Sequence, residues 1–288
     1  MISAVIDQDF SKPLAERWKR TALGGGALEA SDGGLRLEIA SASARRYADA
    51  QLDDYQGLAR RHFPWRPPLT LTVRARFSHP EGQLRGTAGF GFWNDPFWMT
   101  GRYLPALPRA IWFFYASPES DMQLESQVPG HGWKAATIDA ANPAAIALAP
   151  LAPLAVPLMN LAAAYRAAWP FVQRAVKVRE ALLGADMTAW HTYALEWGSR
   201  AARFSLDGRP VLDRAPSPGG PLGLVVWLDN QFMVVTPRGR FRWGLLDVPG
   251  PQWLEVSRLT VEAGPPAPPV YGDALPDAFG SGPEPVVQ

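Results

Sequence analysis

The side chains able to do chemistry in this sequence fall into a few short runs. "FWNDPF" (92–97) sets Asp95 just after Trp93, and "PLGLVVWLDNQF" (221–232) sets Asp229 and Gln231 just after Trp227. Glu119, Asp121 and Glu125 lie in "SPESDMQLES" (117–126), where Glu-x-Asp on an extended chain turns two carboxyl groups to one side. Paired carboxylic acids can divide the roles of general acid and of nucleophile or base. His131, between two glycines in "PGHGW", is a candidate base because imidazole titrates near neutrality. Each run also has a plainer meaning. Asn-Asp-Pro is a turn former, the acid-rich run after Pro118 suits a solvated loop, and His131 has no partner that the sequence assigns. The flat rings of Trp93, Trp112, Tyr115 and Trp227 suit stacking on sugar rings or on extended apolar ligands, which Asp95, Asp229 and Gln231 would orient. For each ring, core packing is the competing expectation.

The elements that must position these residues read as strands. From Leu69 to Phe77 every second residue is apolar (Leu69, Leu71, Val73, Ala75, Phe77) and the intervening ones are Thr or Arg, the period of a strand with one buried face. "GGLRLEIA" (33–40), "TAGFGFWND" (87–95), "AIWFFYAS" (110–117), "HTYALEW" (191–197), "AARFSLDG" (201–208), "PLGLVVWLDNQF" and "WLEVSRLTVE" (253–262) continue the series. Asp207-Gly208 is a pair favoured in two-residue hairpin turns. Strands follow one another without alternating helices, so an all-β, antiparallel sandwich is expected rather than a parallel α/β sheet. The 29 Pro and 26 Gly supply turns for such a fold.

One segment departs from this pattern. Residues 140–184 are rich in Ala, Leu and Pro and predict an apolar helical insertion. Leu158, Leu161, Tyr165 and Trp169 recur at helical spacing until Pro170, which should interrupt the run. Phe171, Ala175, Val178 and Leu182 predict a second apolar helical face that stops near Gly184. The stretch 140–165 carries no charge, but Pro143, Pro150, Pro153 and Pro157 argue against a membrane span. The insertion could be a lid over a cleft, built on Leu158, Leu161, Tyr165 and Trp169. It could also rest on a membrane surface, or pack on the sandwich or a second subunit.

The order of strands is similar to that of glycoside hydrolase family 16 and its concanavalin A-like relatives. "WHTYALEWGSRAARFSLDGRPV" (190–211) resembles the family's paired strands, and "PLGLVVWLDNQF" the strand lining its substrate cleft. "WLEVSRLTVE" resembles its closing strand. The resemblance spans residues 70–262 and implies a jelly-roll sandwich whose concave face presents Trp93, Asp95, Trp112, Tyr115, Trp227, Asp229 and Gln231. It also implies three acids on one strand, spaced Glu-x-Asp-x-Glu, or with one further residue where a bulge intervenes. The corresponding strand here is "PRAIWFFYAS", which puts Ala110, Trp112 and Phe114 or Tyr115 where the acids belong.

These observations lead to a domain over 1–264 that includes the 140–184 insertion, followed by a Pro- and Gly-rich tail at 265–288. The expected function is binding of a hydrophobic or partly apolar ligand, a glycan or glycolipid, with the usual glycosidase mechanism lost. The alternatives are a hydrolase or lyase using displaced carboxylates (Asp95, Glu119, Asp121, Asp229), or a membrane-surface or interaction module. The net charge of +1 argues against nucleic acid as partner. No cysteine is present, which excludes disulfides and thiolate chemistry. His62, His79 and His191 share no metal-ligand spacing, so no metal cofactor is expected, while a structural calcium ion stays open. The first residues do not read as a secretory signal, which makes the cytoplasm the default location.

Overall fold

The computed structural model describes residues 4–97, 103–125 and 127–264; the tail expected at 265–288 lies outside them. The strands before the insertion are β1 (Ala4–Asp9), β2 (Lys19–Leu23), β3 (Gly26–Ser31), β4 (Gly34–Ile39), β5 (Asp49–Asp53), β6 (Leu69–Phe77), β7 (Thr87–Trp93), β8 (Arg109–Ala116) and β9 (Gly132–Asp139). The insertion adds α1 (Pro143–Leu148), α2 (Ala152–Leu158) and α3 (Ala162–Ala175). After it come β10 (Arg179–Leu182), β11 (His191–Trp197), β12 (Ala201–Leu206), β13 (Arg209–Pro216), β14 (Gly223–Asp229), β15 (Gln231–Val235), β16 (Phe241–Leu245) and β17 (Gln252–Ala263).

Two antiparallel sheets carry the fold. One has the order β13-β12-β11-β6-β17-β4-β3, with β1 also on β17; the other runs β10-β9-β8-β7-β14-β5-β2. Alternation decides what faces inward. Leu69, Leu71, Val73, Ala75 and Phe77 of β6 are buried, as the sequence period requires. They meet Phe90, Phe92 and Phe113 of the second sheet in one core with Tyr193, Trp197 and Phe204. The rings interlock edge to face: Phe113 and Phe204 lie 5.3 Å apart at 89°, and Phe90 and Tyr193 5.1 Å apart at 64°. Burying each such aromatic or Leu side chain contributes about 1.5–3 kcal/mol.

Several local expectations hold and others need correction. Asp207 and Gly208 both have positive φ (48° and 77°), the tight hairpin turn expected between β12 and β13. Asn142 caps α1 through Oδ1, which accepts from the Ala144 and Ala145 N–H groups, with Pro143 opening the helix. Pro170 does not end a helix, because α3 runs through it from Ala162 to Ala175. Pro170 and Arg166, whose carbonyl loses its intrahelical donor there, are both exposed, so water can take the donor's place. Val178 and Leu182 are not on a helix either. Residues 179–182 form β10, which extends the second sheet on β9.

"PLGLVVWLDNQF" is likewise two elements. Asn230 is fully buried and breaks the strand after Asp229. Its Oδ1 accepts from Ala48 N at 2.9 Å, while Nδ2 donates to the carbonyls of Arg46 and Leu246 at 3.1 and 2.9 Å. The chain leaves the sheet at this pivot and forms the separate β15–β16 hairpin.

Candidate ligand cleft

The outer face of the second sheet forms the cleft, and β7 determines its floor. Ala88, Phe90 and Phe92 of β7 point into the core, which leaves Gly89, Gly91 and Trp93 on the other face. Without side chains at Gly89 and Gly91, the rings of the flanking strands can lean together over β7. A Cβ on Gly89 would stand 2.8 Å from Trp227 Cη2, and one on Gly91 2.6 Å from Trp112 Cβ. Trp112 and Trp227 accordingly meet at 5.3 Å, Trp93 stacks on Trp227 at 6.2 Å and 2°, and Phe114 lies 5.1 Å from Trp112. The four rings form one apolar surface.

Polar groups stand at its ends. Asp229 is buried, and its Oδ1 accepts from Thr87 N, Thr87 Oγ1 and Gln231 N at 3.2, 2.8 and 3.1 Å. Its Oδ2 accepts from Gln231 Nε2 at 2.5 Å. Burial outweighs these donors and raises its pKa to about 7. Asp49 lies directly opposite Asp229 on β5, and Gln51 opposite Trp227. Tyr47, just before β5, feels Asp49, Asp229 and Asp95; burial, with these carboxylates adding to it, holds its phenol well above the usual value.

On the other side, Glu180 of β10 faces the cleft beside Ala136. Burial raises its pKa to about 7, and Lys134 Nζ at 3.5 Å opposes that shift. Burial also lowers the pKa of Lys134.

The cavity above this floor is about 300 Å³, at the small end for a ligand pocket. Met233, Val235 and Phe241 of the hairpin form one wall, and Met122 and Leu124 another. These two walls are tied by backbone hydrogen bonds, Asp121 N to Met233 O (3.0 Å) and Val235 N to Asp121 O (2.9 Å). Phe97 and Pro108 belong to a third wall. Arg60 fastens it by donating to the carbonyls of Asn94, Asp95 and Leu104 at 2.7, 2.5 and 2.6 Å.

The structure brings together Trp93, Asp95, Trp112, Trp227, Asp229 and Gln231, all of which line the cavity. Tyr115 is a correction: it faces the opposite side of β8, is fully buried in the core, and its hydroxyl donates to Leu84 O at 2.8 Å. The cleft-facing positions of β8 are therefore Ala110, Trp112 and Phe114, and none bears a carboxyl group. Glu119 and Asp121 lie outside the cavity lining and pair with Arg85 and Arg240 at 3.2 and 3.4 Å. His131 is exposed at the start of β9 and does not line the cavity.

None of Leu158, Leu161, Tyr165 and Trp169 lines it either. Trp169 is buried behind the wall, stacks on Tyr165 at 6.1 Å, and donates from Nε1 to Leu124 O at 3.1 Å. Among the described residues no group of three or more acidic or histidine side chains is placed to hold a metal ion. No described helix is long and apolar enough to cross a membrane.

Sequence reasoning missed Tyr47, Asp49, Gln51, Lys134 and Glu180. A signal existed for the β5 pair: "DAQLD" (49–53) alternates polar and apolar residues, which places Asp49, Gln51 and Asp53 on one face.

No family model matches the sequence, and no curated protein matches it. Solved structures do match in fold. One comes from work on endo-acting O-glycanases that prominent members of the human gut microbiota express to initiate mucin breakdown. It is 14% identical over 91% of this chain and 99% of that chain, with a TM-score of 0.50. The Crh5 transglycosylase in complex with NAG is 12% identical over 91% of this chain and 85% of that one, with a TM-score of 0.48. An endo-1,3-β-glucanase (laminarinase) catalytic domain from Thermotoga petrophila is 11% identical over 91% and 98%, with a TM-score of 0.45. The fold is the concanavalin A-like antiparallel sandwich, of the jelly-roll type seen in family 16, with an α-helical insertion.

Proposed function

We propose that this chain binds an amphipathic ligand, a glycan bearing an apolar chain, in the cleft and does not run the family 16 glycosidase reaction. The apolar part would lie on Trp93, Trp112, Phe114 and Trp227, and the polar part toward Asp229 and Gln231. The observation that carries the proposal is the cleft face of β8, where Ala110, Trp112 and Phe114 stand at the spacing that the reaction reserves for acids. The apolar walls fit a chain better than a bare oligosaccharide. The O-glycanase whose fold this chain shares supports a glycan as the polar part.

Among the carboxyls that line the cavity, Asp229 and Glu180 are poorly spaced for a displaced mechanism. Asp229 and Glu180 sit on β14 and β10, four strand spacings apart, about 19 Å, whereas glycosidase pairs need ~5–9.5 Å. A titration with an alkyl glycoside, followed by tryptophan emission, tests binding; a reducing-end assay on oligosaccharides tests hydrolysis. Saturable change in emission without release of reducing ends is expected. Hydrolysis at a rate tied to the cleft would overturn the proposal.

A second reading has one observation in its favour. Asp49 and Asp229 are direct cross-strand neighbours, so their Cβ atoms are about 5 Å apart on the cleft face. As a hydrolase or lyase pair they would give activity that Asp49→Asn and Asp229→Asn each abolish.

A further inference from the structure

The charge-free stretch 140–165 is fixed at both ends to the walls of the cleft. At one end Ala140 N donates to the carbonyl of Pro108, a cavity-lining residue, at 2.9 Å. At the other, Asn160 Nδ2 donates to Arg238 O at 3.2 Å, and Val156 packs against Gly239 at the tip of the β15–β16 hairpin. The stretch therefore runs beside the mouth of the cleft. Five of its large aliphatic side chains are uncovered: Ile146, Leu151, Leu154, Leu158 and Leu161 are exposed, Leu154 to 71%, while Met159 is buried. Phe241 (71%) and Trp243 on the hairpin and Leu104 (75%) on the Pro108 wall are exposed as well. Exposed large apolar side chains grouped in this way point to an interaction site.

The charges that the adjoining segments carry are basic. Between Asp139 and Glu180 the chain has no acid but carries Arg166, Arg174, Lys177 and Arg179. Between Asp229 and Asp247 it has no acid but carries Arg238, Arg240 and Arg242. Asp139, Glu125 and Asp121 engage Lys177, Arg179 and Arg240 at 3.7, 3.6 and 3.4 Å. Arg238 and Arg242 are exposed and lie over the rings of Tyr165 and Phe232, with no carboxylate in salt-bridge contact among the described residues. The chain as a whole is nearly neutral, with 28 basic and 27 acidic residues, so this is a local segregation. Aliphatic side chains flanked by arginines complement acyl chains beneath anionic headgroups.

We propose that α1 and α2, together with the β15–β16 hairpin, dock on a membrane surface containing anionic phospholipid and set the cleft mouth against the bilayer. The test is co-sedimentation of the full chain with phosphatidylcholine vesicles, with and without phosphatidylglycerol. Leu151→Glu/Leu154→Glu and Arg238→Glu/Arg242→Glu alter only exposed side chains, and unchanged melting would show that both variants fold. The wild type should pellet with the phosphatidylglycerol vesicles, and added salt should release it. Each variant should lose more than about tenfold of that partitioning. Equal partitioning of wild type and variants would overturn the proposal. So would a dimer in solution that Leu151→Glu/Leu154→Glu dissociates while no form binds vesicles. Trp112→Ala, which alters the cleft floor alone, should leave vesicle binding intact, so the docking can fail or stand independently of the ligand.

Discussion

Trp112 and Trp227 belong to strands separated by β7, yet their ring centroids are 5.3 Å apart. The contact exists because Gly89 and Gly91 put no side chain between them. A floor of paired indoles therefore depends on the smallest residues of the neighbouring strand. Trp112 also takes one of the cleft-facing positions of β8, which with Ala110 and Phe114 carry no carboxyl group.

Gly91→Val should disturb this floor directly. Its Cβ would stand 2.5 Å from both Ile111 O and Trp112 Cα, so the backbone of β8 would have to shift. A loss of about 1–3 kcal/mol is expected in urea unfolding, with a changed near-ultraviolet dichroism of the tryptophans. An unchanged signal and midpoint would show that the indoles do not depend on the glycine.

The buried Lys134–Glu180 pair should behave as a unit. Glu180→Leu leaves a buried ammonium without its partner and should cost about 3–5 kcal/mol. Lys134→Met/Glu180→Leu removes both charges and should recover most of that loss. A double variant as unstable as the sum of the two single ones would refute the coupling.

Asp229 predicts a pH dependence of stability. Its pKa rises from the ordinary 3.8 to about 7 on folding because burial disfavours the charged form. Between those values the folded state holds the proton more tightly than the unfolded chain. Stability is therefore greatest below about pH 4 for this group, falls as pH rises toward 7, and levels off above it; the span is about 4 kcal/mol. Asp229→Asn should remove that part of the slope. Urea unfolding of both forms across this range measures the difference, and parallel curves would contradict it.

Trp169→Ala tests whether the helical insertion supports the cleft wall from behind. The residue touches no ligand position but is buried and donates to Leu124 O. The substitution should cost about 3 kcal/mol and should also weaken ligand binding by loosening the wall formed by Met122 and Leu124. Lost stability with intact affinity would separate the insertion from the site.

The sandwich was legible because β6, β11 and β12 each bury one face, and period-2 alternation shows such faces plainly. The site was less legible. On β8 nearly every residue is apolar, so alternation alone could not say whether Phe114 or Tyr115 faced the cleft, and a shift of one residue reverses the face. Lys134 and Glu180 meet only because β10 returns to β9 after the helices, a pairing that local sequence does not encode. Asp229 and Gln231 were found as neighbours in sequence, but the buried Asn230 between them sends them to different sheets.

The most direct test of the central claim is a calorimetric titration of an alkyl glycoside and of its free sugar into the wild type and Trp112→Ala. The alkyl glycoside should bind the wild type at least about tenfold more tightly than the sugar, a difference of about 1.4 kcal/mol, and Trp112→Ala should erase that preference. Equal affinity for the two compounds, or a preference untouched by Trp112→Ala, would contradict an aromatic cleft built for an apolar chain.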